Sequence, residues 1–117
     1  MRAVVRSIYS SDVEVDSYVP EDPQKDGVLV RLIVGPADGP GEESFDVLVC
    51  TPLWLREIVA KDGPQIGRHY LIIDPFDLAG AGDFLRRQVE SIEAPDWPTL
   101  GAKLARIGYW EFEDYQP

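Results

Sequence analysis

The chain has 117 residues, 44% of them apolar and 10% aromatic, which is enough for one packed core, so residues 1–117 are expected to form a single domain. Eleven basic against 21 acidic residues leave a formal net charge of −10, which excludes nucleic acid held through a phosphate-neutralising surface. There is no apolar run near the roughly 20 residues of a membrane helix, no secretory pattern at the start and only one cysteine, so a cytoplasmic protein without disulfide or membrane partner is expected.

Residues 2–9 read as a first strand, with Ala3 and Val5 on its inner side and Ile8 as a further inner candidate. The stretch from Ser10 to Pro23 mixes carboxylates with Val13, Val15, Tyr18 and Val19. Its prolines discourage a long helix, so it reads as a loop pinned to the body by its apolar side chains. Val28 to Val34 is apolar except for Arg31, the pattern of a strand covered on both faces or strongly buried. Gly35 to Gly41 is a turn by composition, and the strands on either side are expected to form an antiparallel hairpin.

In the next strand Phe45, Val47 and Val49 alternate with Ser44, Asp46, Leu48 and Cys50, the two-residue period of one buried face. Thr51 then offers a hydroxyl to the open amides of a helix start, and Pro52 suits the first helical position. That helix should run to about Lys61 and stop at Asp62-Gly63-Pro64. Residues 68–74 read as a fourth strand. Asp77 caps a helix over roughly 78–93, whose inward stripe is Leu78, Ala81, Leu85, Val89 and Ile92, widened by Phe84 and Gln88. Asp96 caps a third helix to about Ile107, ended by Gly108, and Tyr109 to Tyr115 alternates as an edge strand or extended segment. The expected architecture is α+β, an antiparallel sheet of about four to five strands with three helices packed mainly on one face.

No catalytic residue, metal or cofactor is expected. His69, the only histidine, has no visible partner for acid–base work and reads as structural. Cys50 precedes a helix start that would stabilise a thiolate, yet as a small apolar core residue it needs no reactivity. Asp12, Glu14 and Asp16 alternate like hard-ion ligands but lack the glycine and closing glutamate of a calcium loop. The glycines at 35, 39 and 41 are broken by prolines and precede a strand, so they form no phosphate loop. Trp54 and Trp97 sit on apolar helical stripes and read as core. Trp110 has two readings, an exposed anchor for a partner or an inward ring beside Phe112.

Charge is placed unevenly. Residues 11–46 hold ten acids against two bases, and residues 109–117 hold three acids and no base. Brought to a common side, these segments would suit a basic protein, with long-range attraction speeding the encounter. The expected contacts are Asp12, Glu14, Asp16, Glu21 and Asp22 in the first loop, then Glu42 and Glu43, then Trp110, Glu111, Glu113, Asp114 and Tyr115. Two other readings compete with this one: a scaffold or regulatory subunit whose acids serve solubility, and an enzyme using His69 or Cys50.

Three stretches resemble the immunity protein 8 family of bacterial polymorphic toxin systems. They are Gly41-Glu42-Glu43-Ser44-Phe45 through Val49-Cys50-Thr51-Pro52-Leu53-Trp54-Leu55, then Gly67-Arg68-His69-Tyr70-Leu71-Ile72, then Ile107-Gly108-Tyr109-Trp110-Glu111-Phe112-Glu113-Asp114-Tyr115. The resemblance implies a small cytoplasmic antidote that protects its producer by binding a cognate toxin. It implies no catalytic residue and names no toxin.

Overall fold

The computed structural model describes residues 1–113; the expected contacts Asp114 and Tyr115 lie outside the described residues. Five strands and three helices are arranged as β1 (Ala3–Tyr9), β2 (Gly27–Pro36), β3 (Glu43–Cys50), α1 (Pro52–Asp62), β4 (Tyr70–Ile72), α2 (Leu78–Glu90), α3 (Trp97–Leu104) and β5 (Tyr109–Trp110). The fold is α+β, with a mostly antiparallel mixed sheet. Strands β1, β2 and β3 form an antiparallel meander, and the far edge of β3 pairs with β4 in parallel and with β5 antiparallel. The parallel pair departs from the all-antiparallel expectation. It arises because α1 carries the chain back between β3 and β4, so both strands run the same way.

Alternation decides which side of the sheet becomes the core. Val28, Val30, Leu32 and Val34 of β2 and Phe45, Val47 and Val49 of β3 all point to one face and are buried. Leu78, Ala81, Leu85 and Val89 of α2 and Leu100 and Leu104 of α3 close over that face in one cluster. The helical layer is therefore mainly on one side. Helix α1 buries no residue, and the ring of its Trp54 lies against Gly27, a position that alternation turns to the opposite face. Trp54 is thus half-buried outside the main cluster, contrary to the core expectation. Strand β2 also departs from expectation: its outward residue Leu29 is 51% exposed, so the apolar run is not covered on both faces.

Two local devices hold the strand ends. The pairing of β1 with β2 shifts register between Val5 and Ser7, leaving Arg6 as the extra residue of a bulge. The shift turns Ile8 rather than Ser7 toward the core, which is how Ala3, Val5 and Ile8 share one side. Arg6 donates from Nη2 to the carbonyls of Pro36 (2.9 Å) and Gly39 (2.8 Å), and from Nε to that of Gly41 (3.3 Å), tying down the β2–β3 turn. The free edge of β1 is closed by α2, since Val5 N–H donates to the Glu90 carboxylate (3.0 Å) and Arg86 donates to the Val5 carbonyl (2.8 Å).

The second device is the β3–α1 junction. Thr51 is fully buried, and its hydroxyl accepts from Asp26 N–H (3.2 Å) and from Trp54 N–H (3.4 Å), capping the helix and stitching it to the start of β2. Asp26 in turn accepts from the Tyr18 hydroxyl and from Gly27 N–H, so the first loop ends on the same knot. The hydroxyl bond to Asp26 pushes the Tyr18 pKa up to about 12.

Segment ends differ from expectation by a few residues. Strand β4 spans three residues rather than seven, α2 ends at Glu90, and α3 ends at Leu104. Trp110 packs inward. It stacks on Phe45 with centroids 6.1 Å apart and donates from Nε1 to Glu43 (2.7 Å).

Gly101 lets α3 approach this ring. A Cβ there would sit 2.7 Å from the Trp110 ring, which Phe45 and Glu43 hold in place. Overpacking costs about 1–3 kcal/mol, against roughly 1 kcal/mol that alanine gains over glycine in a helix. Gly101→Ala should therefore lower stability by about 1 kcal/mol in urea unfolding. A variant as stable as the parent would show that the ring yields without strain.

Candidate functional site

Among the described residues the tail segment meets the first acidic segment at one place only, where Trp110 and Glu111 bond to Glu43 and Ser44, and the acids of the first loop stand elsewhere. Glu43 pairs across from Val34, while Gly27, next to the Asp22–Asp26 turn, pairs across from Cys50 at the far end of the same two strands. Seven residues of extended chain separate those rungs, about 24 Å. Glu21, Asp22 and Asp26 gather around Tyr18 and Lys25 at one end, and Asp16 lies beside Asp83 and Arg86 of α2. Glu42, Glu43 and Glu111 gather at the other end. The acids of the tail and of the β2–β3 turn thus share one end of the sheet, while those around the Asp22–Asp26 turn gather at the other.

Several of these acids have internal tasks. Glu43 accepts from Trp110, Glu111 accepts from Ser44 N–H (2.7 Å), and Glu113 pairs with Arg68 (2.7 Å). Trp110 is part of the packing between α3 and β3, although Tyr109 beside it faces out. Asp12, Glu14, Asp16, Glu21 and Glu42 are exposed and belong to none of the ion pairs found among the described residues.

Between the two acidic ends lies the uncovered face of the sheet, which the sequence pattern did not bring out. The registers set Tyr9 opposite Arg31, Arg31 opposite Asp46, and Asp46 opposite Tyr109, one row crossing β1, β2, β3 and β5. Arg31 grips Asp46 with two bonds, Nε to Oδ1 at 2.7 Å and Nη2 to Oδ2 at 3.0 Å. The bond to Asp46, and secondarily Tyr9, raises the Arg31 pKa further above its ordinary value. Beside this row runs a second, Leu29, Leu48 and Tyr70. Tyr9 is 45% exposed and Tyr109 48% exposed, and a shallow hollow of about 140 Å³ opens between Tyr9, Leu29 and the Arg31–Asp46 pair.

The signal for this face was present in β2, where Leu29, Arg31 and Ile33 share a parity, but apolar outward positions look like burial. Which residues of β1, β3 and β5 join them depends on registers between distant segments.

His69 and Cys50 serve the structure. The His69 ring donates from Nε2 to the Ala105 carbonyl at the end of α3 (2.7 Å) and meets Tyr109 edge to face. That anchor holds a backbone φ of 25°, a left-handed value unfavourable for a side chain as large as histidine. Cys50 is fully buried, and burial pushes its thiol pKa up to about 11. No helix among the described residues is long and apolar enough to cross a membrane.

A family model described as Immunity protein 8 matches residues 3–115, nearly the whole chain. No curated protein and no solved structure matches it.

The burial of Cys50 gives a direct check. Its folded pKa lies above the value near 9 expected when unfolded, so the thiol contribution to stability is complete below pH 9 and is lost as pH rises toward 11. A thiol reagent at pH 8 should label the native protein at least about a hundredfold more slowly than the urea-unfolded chain, because the thiolate is both scarce and enclosed. Equal labelling rates would mean that the junction opens readily.

Proposed function

The chain belongs to the immunity protein 8 family of polymorphic toxin systems, and from that premise we propose that it is a non-catalytic cytoplasmic antidote for a cognate toxin with a basic surface. A nuclease is the toxin class that fits, since an enzyme that grips phosphates must carry clustered lysine and arginine. The observation that carries this reading is the set of exposed acids on the first loop and the β2–β3 turn, outside the ion pairs of the described residues, in a chain of net charge −10. Such a surface draws a basic partner in from a distance and accelerates the encounter. Occlusion by binding needs no catalytic residue, and the structural tasks of His69 and Cys50 agree with that.

The competing reading is an acidic scaffold whose charge serves solubility alone. The two differ in kinetics. Association with the toxin encoded beside this gene should slow at least about tenfold between about 0.05 M and about 0.5 M salt, with dissociation changing far less. Replacing Asp12, Glu14 and Asp16 together by Asn, Gln and Asn should slow association severalfold at low salt. Stopped-flow mixing measures both. A flat salt response would remove the basic partner from the proposal, and failure to bind that toxin at all would favour the scaffold.

A further inference from the structure

We infer that the toxin docks on the uncovered face of the sheet, with the row Tyr9, Arg31, Asp46 and Tyr109 and the neighbouring Leu29 at the centre of the contact. The inference rests on the toxin-binding reading and adds the surface that reading leaves open. An antiparallel sheet with one solvated face ordinarily shows polar residues outward. Here Leu29 is 51% exposed, Tyr9 45%, Tyr109 48% and Ile72 55%, all on the side away from α2 and α3. Helix α1 lies over the rung of Gly27 through Trp54 and leaves Leu29, Tyr9, Tyr109 and Ile72 exposed.

The composition is that of an interface centre. Tyrosine and arginine are the residues that most often carry binding energy, and they do so when ringed by polar groups that exclude water. Arg31 and Asp46 neutralise each other through two bonds, so the centre can lose its water without stranding a charge. Ser10 and Ser11 border the hollow beside Tyr9 and lead to the exposed Asp12. At the other end stand Glu42 and Glu111. The rungs of Gly27 and Val34 that bound the face are about 24 Å apart along the strands, which suits the roughly 28 Å width of a patch burying about 800 Å² per partner.

Charge selects the occupant. A second copy of this chain would bring a further −10 against the same acidic ends, and an anionic polymer or lipid surface meets the same repulsion. A basic protein meets attraction at both ends and apolar area between them. The partner surface is therefore an aliphatic or aromatic projection, seated over Leu29 and Tyr9, with lysines or arginines on either side.

The test compares two substitutions of equal charge at exposed apolar positions. Leu29→Arg lies on the uncovered face, and Phe84→Arg lies on the solvent side of α2. Calorimetry against the purified, catalytically inactivated toxin domain encoded beside this gene reads the affinity. Leu29→Arg should weaken binding at least about thirtyfold, the loss typical of a disrupted central anchor, and Phe84→Arg should stay within about threefold of the parent. The double variant Tyr9→Ala/Tyr109→Ala, which adds no charge, should also lose at least about thirtyfold, and thermal unfolding monitors folding of each protein.

If both face variants fold and bind as the parent does, the assignment of this face is overturned while toxin binding stands. If Phe84→Arg loses as much as Leu29→Arg, the assignment is likewise overturned. If the parent itself does not bind, the toxin-binding reading fails as well. A dimer of this chain that dissociates on Leu29→Arg would also overturn the assignment, because a second copy would then be the occupant.

Discussion

The pairing of β2 with β3 is the constraint from which the other surfaces follow. Its rungs run without interruption from Gly27 opposite Cys50 to Val34 opposite Glu43. A slip of one residue would carry Val28, Val30, Leu32 and Val34 into water and bring Arg31 into the core. Burying four aliphatic side chains is worth about 1.5–3 kcal/mol each, so the correct register is strongly preferred. The same register that buries one face of β2 also sets the Arg31–Asp46 pair opposite the core, with the tyrosines at either end. Core and open face are two consequences of one alignment.

Two of the strands that join this pair, β1 and β5, are fastened by polar side chains at their edges. Strand β1 would offer a free row of amides and carbonyls, but the Glu90 carboxylate and Arg86 guanidinium satisfy Val5 on both counts. On the opposite edge, Glu43 and Glu111 bind the Trp110 indole and Ser44 N–H, which locates β5. The carboxylates therefore divide into two groups. Some are engaged in hydrogen bonding that defines the sheet, and others, such as Asp12 and Glu42, are exposed and free of ion pairs among the described residues. Net charge alone does not distinguish the groups.

The parts of the fold that were legible in the sequence are those set by neighbours along the chain. The two-residue period of β3, the hydroxyl of Thr51 before Pro52, and the caps Asp77 and Asp96 all act within four residues, and each stands where expected. The bulge at Arg6 was implicit in the change of parity between Val5 and Ile8. What was not legible depends on distant pairing. The direction of β4 follows from the path of α1, and the row through Tyr9, Arg31, Asp46 and Tyr109 joins four segments spread over about a hundred positions. The apolar outward residues of β2 pointed to burial by the protein itself, because a chain read alone contains no partner to bury them.

That last point separates two physical demands which composition had merged. Long-range attraction requires net charge and tolerates distance, so acids at opposite ends of a sheet serve it as well as acids in one cluster. Close contact requires area that loses water readily, and a carboxylate cluster is poor at that because the desolvation of each charge must be offset. A contact surface built from acids alone would steer quickly and hold weakly. The open face supplies the missing half: aromatic and aliphatic area, with its one guanidinium already matched by Asp46 at 2.7 Å and 3.0 Å. Dividing the work in this way lets exposed acids vary with little effect on the fold, whereas changing Arg31 or Asp46 alone leaves its partner charged and unmatched on the face where water must leave.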